Sequence, residues 1–156
     1  MIKCLRVDHR LLHGQVAFSW TSHLSADCIL IACDAVMKDE IRKASIKLAK
    51  PQGVKLVIKS IEDSIAAINS GATDKYKLFI VVESIADAAR LVEGTNCIKS
   101  VNLGGTKAKE GTRNISKAVN VFPEEEEILK RLNQNGIEVE IRMVPNDTKI
   151  DISKAL

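Results

Sequence analysis

The sequence alternates between short apolar runs, rich in β-branched residues, and amphipathic segments of helix length, and this alternation constrains the fold most strongly. Runs such as "CILIAC" and "LFIVV" are apolar at nearly every position, as expected for strands covered on both faces. Strand–helix–strand repetition favours a mainly parallel sheet with helices on both faces. We therefore predict an α/β fold with one open sheet of about seven strands. Residues 1–156 are expected to form one domain, because no linker or repeat interrupts them.

The pattern also predicts where each element begins and ends. Strands are predicted at Ile2–Val7, Cys28–Cys33, Val54–Ile58, Lys77–Val82, Ile98–Leu103, Ala118–Phe122 and Glu138–Val144. Helices are predicted over residues 14–25, 35–49, 61–70, 84–94 and 123–135. The last twelve residues are compatible with either a short helix or a strand.

Capping residues support several of these boundaries. Ser60, followed three residues later by Asp63, is similar to a capping box. Pro123, followed by four glutamates, is typical of a first helical turn. Gly71 and Gly94 follow predicted helices, where a left-handed cap favours glycine.

Composition excludes several classes of protein. Aromatic residues make up only 3% of the chain and the net charge is +3, which argues against nucleic-acid binding. No apolar run approaches the roughly 18–20 residues of a membrane span. Charged residues at Arg6, Asp8 and Arg10 interrupt the amino terminus before a secretory signal could form. A cytoplasmic location is therefore expected.

The four cysteines show no metal-binding or redox spacing. Cys4, Cys28, Cys33 and Cys97 each lie in or beside a strand-like run, and no C-x-x-C pair occurs. Strand alternation directs Cys28 and Cys33 to opposite faces of the sheet. Buried, reduced thiols are expected.

The segment "RVDHRLLHGQV" places ionisable residues in the first strand-to-helix loop. In open parallel sheets this edge is where ligands bind. His13 stands at a helix start, where free N–H groups can face an anion, and Gly14 lets a phosphoryl group approach the backbone. Arg10 offers a planar cation, while Asp8 either fixes the imidazole tautomer or orients Arg10. These residues suit phosphoryl transfer through histidine.

Other interpretations of the histidines remain open at this point. His13 could serve only as a capping or packing residue. His9 and His13 share the i, i+4 spacing of a metal pair, but the residues between them are predicted to form a loop. No cysteine or acid cluster completes a tetrahedral set, so no metal or other cofactor is predicted.

The same segment closely resembles "R-[VI]-D-D-R-L-[IL]-H-G-Q-V", the opening signature of IIB components in the mannose/fructose/sorbose class of the bacterial phosphoenolpyruvate-dependent sugar phosphotransferase system. The likeness continues through "LIACDAVMKDEIRKASIKLAKPQGVKL", "DAARLVEG", "IKSVNLGGTKAKEGTRNISKAVNV" and "NGIEVEIRMVPND". It therefore covers nearly the whole chain.

The resemblance implies a protein-phosphohistidine–sugar phosphotransferase. His13 would accept a phosphoryl group from a phosphohistidine of a IIA partner and pass it to a sugar entering through the membrane IIC and IID components. Arg10 would neutralise charge during transfer, with Asp8, Gly14 and Gln15 matching the remaining signature positions. Peripheral association with the membrane permease is implied, and a homo-oligomer is possible. The sugar is not specified.

One residue departs from the signature. His9 stands where the family has a second aspartate, which removes an anion beside the incoming phosphoryl group but adds a competing nucleophile. We predict that His13 is modified, because Gly14 and Gln15 follow it at the helix start.

Residues after two other strands are candidates for supporting roles. In "NLGGTKAKEGTR", Gly104 and Gly105 are expected to form a loop that approaches the phosphoryl group, with Thr106 as a hydroxyl donor. Lys107 could attract a phosphorylated partner, or the loop could simply be solvated. Asp34 is expected to cap the helix that follows it or to orient the active loop.

Two rival functions are compatible with the sequence. One is a regulatory binding domain in which phosphorylation of His13 signals without onward transfer. The other is a receiver-like domain phosphorylated on Asp34. A nucleotide-binding enzyme is disfavoured because neither G-x-G-x-x-G nor G-x-x-x-x-G-K-[ST] occurs.

Overall fold

A computed structural model describes all residues, 1–156, and contains one large sheet with helices on both faces. The strands are β1 (Ile2–Asp8), β2 (Cys28–Ala32), β3 (Lys55–Lys59), β4 (Leu78–Val82), β5 (Ser100–Gly105), β6 (Arg113–Ser116), β7 (Val119–Val121), β8 (Glu138–Ile141) and β9 (Ile150–Asp151). The helices are α1 (Gly14–Leu24), α2 (Glu40–Leu48), α3 (Ile61–Asn69), α4 (Ile85–Gly94) and α5 (Pro123–Gln134). Short 3₁₀ turns cover Ala35–Lys38 and Ile152–Lys154.

The sheet has seven strands in the order β3-β2-β4-β1-β5-β8-β9, and only β9 runs antiparallel. This confirms the predicted α/β class and the mainly parallel sheet. β1 is central, paired with β4 on one side and β5 on the other. After β1 the chain continues to β2 on one side of that strand, and after β4 it crosses to β5 on the other side. The strand order therefore reverses beside β1. A ligand site is expected at the carboxyl end of a strand in this position.

Two apolar cores hold the layers together. Leu5 and Val7 of β1 face the larger core, which is covered by α3, α4 and α5. Cys4 faces the smaller core, which α1 and α2 cover with Trp20 and Ile46. The alternation of β1 therefore places Cys4, Arg6 and Asp8 on the side of α1.

One of the predicted strands is not part of the main sheet. Ala118–Phe122 was expected in the main sheet, but Val119–Val121 pairs with Arg113–Ser116 in a separate antiparallel hairpin. The seventh strand of the sheet is instead Ile150–Asp151, which is followed by a 3₁₀ turn. The carboxyl-terminal segment thus forms both a short strand and a short helix.

The helix predicted over 35–49 is interrupted at Asp39. This residue adopts an extended conformation, and its side chain accepts a hydrogen bond from the amide of Arg42 at 3.0 Å. Such an N-cap begins a new helix, so residues 35–38 form only a 3₁₀ turn. The predicted cap at Ser60 is confirmed, since its hydroxyl accepts from the amide of Asp63.

Two predictions about glycine and cysteine need correction. Gly71 is left-handed at φ +83°, whereas Gly94 ends α4 without a positive φ and makes room for Ile65. Cys97 is exposed, although the other three cysteines are buried as expected. Burial raises the pKa of the Cys4 thiol to about 12.

No helix in the structure combines the length and apolar character needed to cross a bilayer.

Candidate functional site

The loop between β1 and α1 is anchored by two leucines. Leu11 and Leu12 are buried in the smaller core, and the amide of Leu11 donates to the carbonyl of Asp8 at 2.8 Å. Leu11 has φ +59°, a left-handed conformation that costs energy for a side chain of this size. Burial of both leucines holds this strained turn in place. The flanking polar residues are thereby fixed at the edge of the sheet.

His13 is the N-cap residue of α1, and its side chain does not cap the helix. Its Nε2 atom instead lies 3.0 Å from Oδ2 of Asp8. An ionised carboxylate can only accept a hydrogen bond, so in the neutral ring Nε2 carries the proton. The Nδ1 lone pair is then available as a nucleophile. The imidazole is 24% exposed, which leaves it accessible to a partner.

Asp8 is fully buried at the centre of the site. Its carboxylate accepts from Arg6 Nη2 at 3.2 Å and from the amide of Arg10 at 3.0 Å, besides His13. Burial on its own raises the pKa of Asp8, but the hydrogen bonds from His13 and Arg10 and the charge of Arg6 outweigh it. The pKa therefore lies below its ordinary value, and the carboxylate stays ionised. Both predicted roles of Asp8 are compatible with this geometry.

Arg6 is the main residue that the sequence analysis did not identify. Its side chain is only 1% exposed, yet it carries a full charge beneath Asp8. Nη1 donates to Oδ1 of Asn102 at 2.8 Å and to the carbonyl of Arg142 at 3.2 Å. Alternation along β1 could have revealed it, because residues 6 and 8 share one face of a central strand. A cation buried there requires a nearby anion.

Trp20 of α1 closes the site from the side of the smaller core. The guanidinium groups of Arg6 and Arg142 lie 5.1 Å and 5.0 Å from its ring centre. Its Nε1 donates to the carbonyl of Met143 at 3.0 Å. Trp20 therefore fixes both arginines by cation–π contact and ties α1 to the segment after β8.

Gly104 and Gly105 are the last residues of β5, not a loop as predicted. A Cβ at Gly104 would overlap the guanidinium of Arg6. A Cβ at Gly105 would come no closer than 3.8 Å to its nearest neighbour, Nδ1 of His9. The absent side chain at Gly104 thus makes room for Arg6 and not for a phosphoryl group.

The first turn of α1 offers free donors next to His13. The amides of Gly14, Gln15 and Val16 have no hydrogen-bond acceptor in the chain. Gly14 has φ +41°, which accounts for glycine at this position, and open space surrounds it. The guanidinium of Arg10 is 51% exposed, with Nε 3.6 Å from Asp8 Oδ1. The structure therefore brings His13, Arg10, Asp8, Gly14 and Gln15 together.

Thr106 has no donor left for a phosphoryl group, contrary to expectation. Its hydroxyl donates to the carbonyl of Asn120 at 2.6 Å and accepts from the amide of Asn120 at 2.7 Å. Its own amide donates to the carbonyl of Ala118 at 2.9 Å. Thr106 thus fastens the β6–β7 hairpin to the end of β5.

His9 faces a different space from His13. It lines a small cavity of about 80 Å³ together with Thr106 and Lys107, and its Nδ1 is buried without a partner. Arg42 of α2 donates to the carbonyl of His9 at 3.3 Å and pairs with Glu83 at 3.0 Å. The backbone of His9 is therefore tied to α2.

Asp34 does not cap the helix that follows it. Its carboxylate accepts from the amide of Ile61 at 2.9 Å and from Arg90 at 3.0 Å. It therefore links the start of α3 to α4. The hydrogen bond from the amide of Ile61 contributes most to lowering the pKa of Asp34, and the hydrogen bond from Arg90 contributes next. No three His, Cys, Asp or Glu side chains converge in a way that could hold a metal ion.

A family model described as the PTS system sorbose subfamily IIB component matches residues 2–156. The chain belongs to this family. Among the relatives of this IIB component, the sorbose-specific EIIB component of Lacticaseibacillus casei is 35% identical over 152 residues, covering 97% of this chain and 93% of the relative. The mannose-specific EIIAB component of Escherichia coli K12 is 34% identical over 96% of this chain, which spans only 46% of that longer protein.

Solved structures agree with this family. The IIBSor domain of the sorbose permease from Klebsiella pneumoniae superimposes with a TM-score of 0.94 at 28% identity. The match covers 99% of this IIB component and 95% of the Klebsiella chain. As a sorbose-type IIB component, the chain has a role in phosphoryl transfer for sugar uptake.

Proposed function

We propose that this chain carries a phosphoryl group on Nδ1 of His13, receives it from a phosphohistidine of a IIA partner and passes it to a sugar. The contact between His13 Nε2 and Asp8 carries this proposal. It fixes the proton on Nε2 and leaves Nδ1 as the only nitrogen with a free lone pair.

Transfer to His13 is a displacement at phosphorus. The Nδ1 lone pair forms the new N–P bond while the donor's N–P bond breaks and returns its electron pair to the donor imidazole. The modified ring keeps its proton on Nε2 and gains positive character, which the ionised Asp8 stabilises. The free amides of Gly14, Gln15 and Val16 and the exposed Arg10 would bind the phosphoryl oxygens.

Partner access is supported by the shape of the surface. His13 is partly exposed at the rim of the sheet, and Phe18, one turn beyond Gly14 on α1, is 60% exposed. An exposed aromatic on the helix that begins after His13 offers an apolar contact to each partner in turn. The partners proposed are a IIA protein or domain as donor and the membrane IIC and IID components as the route to the sugar.

Two residues are assigned supporting functions. Arg6 holds Asp8 from below and serves as a positioning residue. Lys107 is exposed at the mouth of the His9 cavity, where it would attract an anionic partner. The proposed location is cytoplasmic, at the inner face of the permease.

Reconstitution tests this function against a purely regulatory role. Purified chain is phosphorylated by its IIA donor and then added to membrane vesicles that contain the IIC and IID components. Formation of sugar phosphate with loss of phosphate from the protein is expected. His13→Ala serves as the inactive control. Stable phosphorylation without sugar phosphate would contradict onward transfer and favour a regulatory role.

A further inference from the structure

Positive charge is concentrated on one part of the surface. Residues 38–59, which include α2 and β3, contain seven lysines and arginines but only two acids. This segment has a net charge of +5, whereas the whole chain has +3. The rest of the chain is therefore slightly acidic, and the charge is strongly polarised towards one edge.

Four lysines surround an open groove at this edge. Lys43, Lys47, Lys50 and Lys55 line a groove of about 620 Å³ whose apolar lining residues are Val54, Leu56 and Ile58. Three of these lysines have no acidic partner, and only Lys43 pairs with an acid, Glu40 at 3.5 Å. Lysines on an edge strand such as β3 discourage strand pairing, but this does not account for those of α2.

Two aliphatic side chains project from the same helix. Ile41 is 82% exposed and Leu48 is 89% exposed, and their i, i+7 spacing places them on one side of α2. Only Ile46 of this helix is buried. Lys43 and Lys47 lie one turn apart on the flank of α2 that faces the groove, roughly 100–160° around the helix from Ile41 and Leu48. The exposed surface of α2 therefore carries protruding aliphatic residues next to the lysines of the groove.

We propose that this basic face, formed by Ile41, Leu48 and the four lysines of the groove, rests on an anionic lipid surface. Lysines beside protruding aliphatic residues are typical of helices that lie at a membrane interface. Lysine is a flexible point charge that suits diffuse lipid phosphates, whereas carboxylates of a protein partner are matched better by the arginine fork. Lysines without an acidic partner gain most from such a surface, because no internal ion pair must be broken; Lys55 has only the hydroxyl of Tyr76 as a partner, at 2.8 Å.

The helix that carries the basic face also contacts the active loop. Arg42 of α2 contacts the backbone of His9 in the active loop. A lipid surface against α2 would therefore hold the edge of the sheet that carries His13 close to the membrane. This inference goes beyond the proposed function and does not depend on the modification of His13.

Vesicle sedimentation tests the proposal with the intact chain. Binding is measured to vesicles of phosphatidylcholine alone and to vesicles containing phosphatidylglycerol, at low and high salt. Binding to the anionic vesicles only is expected, and it should weaken as salt rises. Lys43→Gln, Lys47→Gln and Lys50→Gln combined should weaken it at least about tenfold. Leu48→Ser should reduce the binding that remains at high salt.

A matched control removes the same charge from the opposite edge. Lys130→Gln, Lys149→Gln and Lys154→Gln combined should leave vesicle binding within about twofold. Phosphorylation by the donor in solution should be normal in both triple variants, which separates this proposal from the proposed function. No preference for anionic vesicles, or equal loss in both triple variants, would overturn the proposal. It would also be overturned if the first triple variant bound vesicles normally but failed to bind detergent-solubilised permease, because the face would then dock a protein.

Discussion

Oδ2 of Asp8 lies 3.0 Å from Nε2 of His13, and the carboxylate is completely buried while the imidazole reaches the surface. The same oxygen accepts from Arg6, so a buried ion pair supports the contact from below. In the proposed function, this arrangement would select Nδ1 as the nucleophilic nitrogen and stabilise the charge that develops when the ring is modified.

Replacing Asp8 should impair the reactivity of His13. Asp8→Asn removes the charge and allows the amide to donate to Nε2, which would place the ring proton on Nδ1. We expect the initial rate of phosphorylation to fall by about 100-fold or more. Asp87→Asn, which removes a carboxylate on α4 that does not contact His13, should leave the rate within about twofold. Nitrogen NMR shifts of the neutral His13 ring would report the tautomer directly.

Gly104 and Gly105 form a matched pair for testing the packing of Arg6. Gly104→Ala should reduce the free energy of unfolding by about 3 kcal/mol, because the new Cβ overlaps the guanidinium of Arg6. Gly105→Ala should cost less than about 1 kcal/mol, since its surroundings leave space. Chemical denaturation measures both values. Equal losses in the two variants would show that Arg6 is not the obstacle.

Arg6 should prove essential for stability as well as for positioning. Arg6→Met leaves Asp8 without its buried cation and Asn102 without its donor, and should cost about 3–5 kcal/mol. Arg6→Lys keeps the charge but lacks the fork that contacts Asp8 and Asn102 together, so rescue should be partial. Denaturation gives the stability, and phosphorylation of the folded fraction gives the positioning effect. Full activity of folded Arg6→Met would exclude the positioning role.

Acid should remove the stabilisation that Asp8 provides. The pKa of Asp8 is lower in the folded chain than its unfolded value of about 3.9. The contribution of Asp8 to the free energy of unfolding is therefore fully present at pH values above the unfolded pKa. It is lost as the pH falls through the folded pKa. The difference in unfolding free energy between wild type and Asp8→Asn should therefore shrink as the pH falls below about 4. A difference that grows on acidification would contradict this assignment.

Much of the fold could be predicted from the sequence, because fully apolar runs such as Cys28–Ala32 are distinctive. The sequence could not assign Val119–Val121 to a hairpin, since strand propensity does not reveal the partner strand. It also missed the helix start at Asp39, where one side-chain hydrogen bond interrupts a continuous amphipathic pattern.

At the site, the loop residues could be identified because their chemistry is visible in the sequence. His13, Asp8 and Arg10 stand close together in the chain, so proximity in space followed from proximity in sequence. Arg6 and Asn102 were missed because they are 96 positions apart in the sequence. Their contact depends on the register between β1 and β5, which the sequence does not reveal. Gly104 was misassigned for the same reason, whereas Thr106 was misassigned because its partner is the β6–β7 hairpin, which was not predicted.

In the proposed function, the phosphoryl group resides on Nδ1 of His13, and this position can be measured directly. The wild-type chain and the variants His9→Ala and His13→Ala should be incubated with the phosphorylated IIA donor. Mass spectrometry would locate the modified residue, and phosphorus and nitrogen NMR would identify the nitrogen. We predict modification of His13 at Nδ1 in the wild type and in His9→Ala, and none in His13→Ala. Phosphate on His9, or on Nε2 of His13, would refute the proposed role of His13 Nδ1.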